Sequence, residues 1–220
     1  MSKFLVSLTV FFLLLSLSSA TDFIALAALA NQRYGQSAQN IILKLQQTIV
    51  QLKNATELEK ITGINDFFNT KIYYFDDDIN IWGEADYWAT PLEAIGKQRG
   101  DCEDFSIAKY TFLRVLNIPN ERLKLTYVLA QIGGPYSQVF VAHMILSYYE
   151  TPTSEPLILD NLIPDIRTAS RRIDLFPVFS FNSEGLWTGT SNTPLGKGSL
   201  ANLSRWSNVL ARIHADGIQL

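Results

Sequence analysis

This chain is short of the residues that usually cross-link or coordinate. Among 220 residues it has one cysteine, Cys102, and two histidines, His143 and His214. A single cysteine excludes a disulfide within the chain, and no Cys–Cys or His–His spacing suggests zinc. There is no basic run, and acids outnumber lysine plus arginine by 21 to 18, which argues against nucleic acid as a partner. Past residue 20 no apolar stretch is long enough to span a bilayer. No repeat or low-complexity tract divides the chain, whose length suits one ordinary domain with a sizeable core.

The one long apolar run lies at the start. Lys3 precedes the apolar residues 4–17, and Ser18-Ser19-Ala20 puts small residues at the −3 and −1 positions of a cut after Ala20. Residues 1–20 therefore read as a signal peptide, leaving a mature domain over 21–220. Removing them removes one lysine and no acid, taking the formal charge from −3 to −4. An exported protein usually pairs its cysteines, and Cys102 has no partner in its own chain.

The coarse pattern is a helical first half, a short sheet and a helical tail. Ile41, Ile42, Leu45, Ile49 and Leu52 recur at helical spacing within 37–53. Thr56-Glu57-Leu58-Glu59 is a capping box that opens a helix to about Phe68. Residues 73–88 are rich in aromatics and acids without a period, and read as an ordered loop. Thr90-Pro91-Leu92-Glu93 is a second capping box with proline at the first helical position, opening a short helix to Gly96 or Gly100. From Cys102 the pattern turns helical again, with Phe105, Ala108, Phe112 and Leu116 on one face. Residues 123–131, 139–149 and 156–162 read as strands joined by short turns, one of them at Gly133-Gly134-Pro135, which favours an antiparallel meander. Leu200, Leu203, Trp206, Leu210 and Ile213 mark a last amphipathic helix.

Cys102 stands in Gly100-Asp101-Cys102-Glu103-Asp104-Phe105, at the start of its helix. The positive end of a helix favours a thiolate, and first-turn amides suit an oxyanion. Flanking Asp101 and Glu103 act the other way, by like-charge repulsion. His143 on the second strand and Asp160, following Leu157-Ile158-Leu159 on the third, are placed to be cross-strand neighbours, giving a thiol, a base and an orienting carboxylate. The residues alone leave plainer readings open. A lone cysteine often only packs, a lone histidine on an apolar strand often sits satisfied in the core, and Asp160 suits a turn with Asn161. His214, in the last turn of the tail helix, reads as a favourable charge there. The acids Asp101, Glu103 and Asp104, with Asp76, Asp77, Asp78 and Asp86 nearby in sequence, supply hard oxygen ligands of the kind calcium takes, without an EF-hand pattern. Such a run is equally a solvated face.

Trp82-Gly83, Asp86-Tyr87-Trp88-Ala89-Thr90-Pro91, Glu93, the stretch 100–105 and Ala108-Lys109-Tyr110 together resemble the bacterial transglutaminase-like cysteine proteinases. His143-Met144 and Leu159-Asp160-Asn161 match the later signatures. The resemblance implies an α+β, papain-like or transglutaminase-like fold, with a helical N-lobe and an antiparallel-sheet C-lobe. It carries the nucleophile to Cys102, the base to His143 and the orienting role to Asp160. It carries calcium (Ca2+) dependence to Asp101 and Glu103, with Asp104 and Asp86 as further candidate ligands. It implies a periplasmic endopeptidase whose substrate is the N-terminal region of a giant repeat-containing adhesin, cut at a di-alanine site. It also implies an inner-membrane cyclic di-GMP receptor that sequesters the protease. Acyl transfer of the transglutaminase or amidase type, or a non-catalytic receptor-binding role, stands as the alternative.

Overall fold

The computed structural model describes residues 20–75, 77–189 and 204–220. The expectations placed on residues 1–19, Asp76, Leu200 and Leu203 lie outside these. Helices α1 (Phe23–Tyr34), α2 (Gln36–Leu52) and α3 (Glu57–Lys71) come first, followed by strand β1 (Tyr73–Tyr74), α4 (Asp78–Trp82), α5 (Pro91–Lys97), β2 (Arg99–Gly100) and α6 (Cys102–Val115). Strands β3 (Leu123–Ile132), β4 (Val139–Tyr148), β5 (Leu157–Leu159), β6 (Arg167–Thr168), β7 (Leu175–Phe181) and β8 (Leu186–Thr188) then precede α7 (Ser204–Ala215).

Local chemistry accounts for most helix starts. Asp22, Thr56, Thr90 and Asp101 each cap with a side-chain oxygen, and the last three complete reciprocal capping boxes. The segment 73–88 is not the plain loop its lack of period suggested. Asp77 caps the short α4, and Tyr73 and Tyr74 pair in parallel with Arg99 and Gly100. That pairing ties the segment to the chain just before Cys102.

The β3–β4–β5 meander forms as expected, but within a larger sheet of order β6-β5-β4-β3-β7-β8, antiparallel throughout. β7 joins the far side of β3 with a register shift at Tyr127/Val128, beside Pro177. The third strand is shorter than expected, spanning Leu157–Leu159, so Asp160 lies just past its end.

α6 lies at the centre. Phe105, Ile107, Ala108, Phe112 and Leu113 are buried, packing against Phe68 of α3 and against Leu125, Met144, Leu146 and Leu159 of the sheet. Each such side chain of leucine size or larger contributes roughly 1.5–3 kcal/mol on burial, so packing alone fixes this helix. β5 pairs with β4 only at Leu146, Ser147 and Tyr148. The β4 backbone at Met144 therefore faces α6: the Met144 carbonyl accepts the Ser106 hydroxyl at 3.1 Å. The N-terminal turn of α6 is thus seated one residue from His143.

Candidate active site

Cys102 is the first residue of α6, and Asp101 is its N-cap. Asp101 Oδ1 accepts the amides of Glu103 (3.2 Å) and Asp104 (3.5 Å), and Asp104 Oδ2 accepts the Asp101 amide at 3.3 Å. Gly100 permits this fold-back, because a Cβ there would lie 2.8 Å from both Cβ and Oδ2 of Asp104. Asp104 also accepts the Ala89 amide at 2.7 Å through Oδ1, which anchors the 86–91 segment to the cap. The thiol is buried and donates to Glu103 Oε2 at 2.8 Å, while Glu103 Oε1 accepts the Tyr127 hydroxyl at 2.9 Å.

These contacts raise the thiol well above the ordinary cysteine range. Burial is the main cause, followed by the charge and hydrogen bond of Glu103 and the charge of Asp101; the Met144 backbone pulls the other way. Asp101 is itself pushed up to about 10, by burial and then by Asp104, Glu103 and Asp78. Asp104 is raised mainly by burial, with Asp78 and Glu103 adding to it. Four carboxyls are thus crowded together, and two of them, Glu103 and Asp101, act directly on the thiol.

Among the described residues, no three His, Cys, Asp or Glu side chains converge as a ready-made metal cage. The donor chemistry nevertheless fits a hard cation. The groups acting on Asp101 electrostatically are all acids, and each is an oxygen donor. Asp86 stands apart from them: its Oδ1 accepts the Trp88 indole at 3.2 Å, and its Oδ2 pairs with Arg205. Asp78, on α4, acts electrostatically on Asp101, and its Oδ2 accepts the Tyr87 amide at 2.6 Å.

The other side of the site is built oppositely. His143 Nε2 lies 2.8 Å from Asp160 Oδ1, and both side chains are buried. The β4–β5 register pairs Leu159 with Leu146, which brings Asp160, just past β5, to the stretch of β4 that carries His143. Asp160 Oδ1 also accepts the Leu162 amide at 3.0 Å, and Oδ2 accepts Arg172 Nη2 at 2.8 Å. Burial opposes ionisation of Asp160, but the bond and charge of His143, the Leu162 amide and Arg172 outweigh it and hold the carboxyl at about 2. An ionised carboxylate only accepts. Nε2 therefore carries a hydrogen, and in the neutral ring Nδ1 keeps the lone pair a base needs.

The structure thus joins His143 to Asp160 as expected, and places Cys102 against the strand residue next to His143. The thiol's hydrogen bond goes to Glu103 rather than to His143. Two buried cations near Asp160 were not singled out from the sequence. Arg172 lies in the loop after β6, without periodicity to mark it. Lys109 had a signal: it falls four residues after Phe105, on the buried face of α6. Burial pushes Lys109 down to about 7, against the opposing charges of Asp160 and Asp66. His214 belongs to the last turn of α7, far in sequence from this constellation.

Comparison with known proteins identifies the family and the fold. Residues 32–174 match the family model described as bacterial transglutaminase-like cysteine proteinase, BTLCP. Solved structures of Legionella pneumophila LapG are similar over most of both chains. The EGTA-treated form is 36% identical, with a TM-score of 0.74, covering 88% of this chain and 98% of that one. The calcium-bound form is 38% identical, with a TM-score of 0.72, covering 87% and 99%. No curated protein matches this chain.

Proposed function

The chain belongs to the bacterial transglutaminase-like cysteine proteinases, and from that premise we propose a calcium-dependent, periplasmic cysteine endopeptidase. The observation that carries the catalytic reading is the buried His143–Asp160 pair, one residue along β4 from the backbone that meets Cys102. Cys102 is the nucleophile. His143 Nδ1 takes the thiol proton as the thiol turns from Glu103, and later returns a proton to the leaving amine. Asp160 keeps the ring in the required tautomer and stabilises the imidazolium. The cap on Asp101 takes the amides of Glu103 and Asp104 but not that of Cys102. The Cys102 amide is the donor assigned to the oxyanion.

Asp101, Glu103 and Asp104 are the residues assigned to hold calcium, with Asp78 close enough to share in it; the Asp86–Arg205 pair makes Asp86 a weaker candidate. Bound calcium supplies positive charge that offsets the repulsion among these acids and beside the thiol. That LapG has been solved calcium-bound and EGTA-treated supports calcium as the cation.

The substrate is the N-terminal region of a giant repeat-containing surface adhesin, cut at a di-alanine site; its release from the outer membrane promotes biofilm dispersal. The partner that restrains the protease is an inner-membrane cyclic di-GMP receptor. Both assignments rest on family membership. Export through a cleaved signal peptide rests on residues 1–20, and no helix of the described residues is long and apolar enough to cross a membrane.

The test is incubation with the N-terminal fragment of a giant adhesin, with calcium and with EGTA. A single calcium-dependent cut between alanines is the expected result. Release of ammonia or formation of a new amide, without a cut, would point instead to acyl transfer.

A further inference from the structure

We propose that Arg172 is the positioning residue of the site: held by Asp174, it occupies Asp160 Oδ2 and thereby commits Oδ1 to His143. The inference rests on the catalytic reading of His143 above.

The geometry is specific. Asp160 offers two oxygens. Oδ1 serves His143 and the Leu162 amide, and Oδ2 meets Arg172 Nη2 at 2.8 Å. Arg172 is gripped in turn by Asp174, through Nε to Oδ1 at 3.0 Å and Nη2 to Oδ2 at 2.8 Å. The Asp174 carbonyl accepts the Gln131 amide at 2.8 Å, which fixes the loop to β3. The Arg172 side chain is only 2% exposed and that of Asp160 is fully buried. A guanidinium buried this deeply, with one hydrogen bond into an orienting carboxylate and a two-point clamp behind it, cannot swing to another partner without leaving charge unpaired.

The titratable and charged groups acting on Asp160 include His143, Arg172 and Lys109, with the carboxylate of Asp174 behind Arg172. Of the two side chains that supply fixed positive charge there, only arginine stays protonated throughout the working range. Lys109 has been pushed down to about 7 by burial, so above neutrality Arg172 is the lasting countercharge.

Without Arg172, Asp160 Oδ2 would be buried without its cationic partner. Proton uptake by Asp160 then becomes favourable. A protonated Asp160 donates to Nε2 and drives the ring hydrogen to Nδ1, the atom that must accept the thiol proton. That is the wrong-tautomer fault that disables other His-based triads. Arg172 therefore acts through Asp160 and touches no reacting atom.

The experiment pairs 15N NMR of the His143 ring, in calcium-containing buffer at pH 8, with steady-state cleavage of the adhesin fragment. Wild-type protein should show the hydrogen on Nε2. Arg172→Met should move it substantially to Nδ1 and lower kcat by about 10- to 100-fold, with KM within twofold. Arg172→Lys, whose ammonium gives up its charge more readily on burial, should fall between wild type and Arg172→Met in both readouts. Retention of Nε2–H in Arg172→Met, with kcat within twofold of wild type, would overturn the proposal. If Arg172→Met does not fold, Asp174→Asn decides, since it keeps the guanidinium but loosens its clamp. A smaller shift in the same direction supports the proposal, and an unchanged spectrum and kcat defeats it. Should the wild-type protein cut nothing, the catalytic reading fails, while the tautomer spectra still decide the role of Arg172.

Discussion

Asp101 and Asp160 are both buried aspartates of one site, and they titrate in opposite directions. Asp101 faces Asp104, Glu103 and Asp78 and is pushed up to about 10. Asp160 faces His143 and Arg172 and is held at about 2. Burial raises both, so burial does not separate them. The sign of the neighbouring charge does. The histidine half of the site is electrostatically complete from its own side chains. The cysteine half is a concentration of like charge, and the chemistry proposed for Cys102 needs that charge offset.

The most severe break should come from Cys102→Ala. Cleavage of the adhesin fragment is expected to vanish, with circular dichroism and Tm close to wild type. Surviving cleavage would remove Cys102 from the mechanism.

Asp160→Asn and Asp101→Asn turn the comparison into a sign test. Asp160→Asn leaves Arg172 buried without its carboxylate. Stability should fall by roughly 3–5 kcal/mol and kcat by up to about 10⁴-fold, read from denaturant melts and kinetics. Asp101→Asn keeps a good helix cap and removes one of four crowded carboxyls. Its Tm in EGTA should equal or exceed that of wild type, while the Tm rise on adding calcium should largely disappear. A large Tm loss in EGTA for Asp101→Asn would contradict the repulsive picture of that half.

Smaller effects come from pH. The folded pKa of Asp160 lies below the ordinary aspartate value of about 3.9. The stability it contributes is present above that value and is lost as pH falls through about 2. This acid-limb loss should be absent from Asp160→Asn. Lys109 carries the reverse case. Its folded pKa, about 7, lies below the ordinary lysine value, so between these two pH values the unfolded chain binds more protons and stability rises with pH. Subtracting the stability–pH curve of Lys109→Met from that of wild type should leave a positive slope above pH 7. A flat difference would mean that Lys109 keeps its charge inside the fold.

What was legible in the sequence was mostly local. Capping boxes span four residues, so Thr56 and Thr90 announced their helices; the box at Asp101 went unread, and the helix start at Cys102 came from the apolar period alone. Strands β3 and β4 were visible because each is long. β7 was not, because Pro177 interrupts its ladder and its partner β3 lies more than forty residues earlier. α1 was passed over although Phe23, Leu26, Ala27 and Ala30 carry a helical period behind an Asp22 cap. The His143–Asp160 pair followed from hairpin logic. The residue that holds it was hidden for a physical reason: Arg172 reaches Asp160 from an aperiodic loop.

The most direct measurement is the rate at which iodoacetamide alkylates Cys102 at pH 7, in calcium and in EGTA. With its neighbouring acids offset by calcium, the thiol should ionise more readily and react at least about tenfold faster, as a drop of one pKa unit implies. Equal rates in the two buffers, with the protein folded in both, would contradict the claim that the cysteine half of this site depends on a cation.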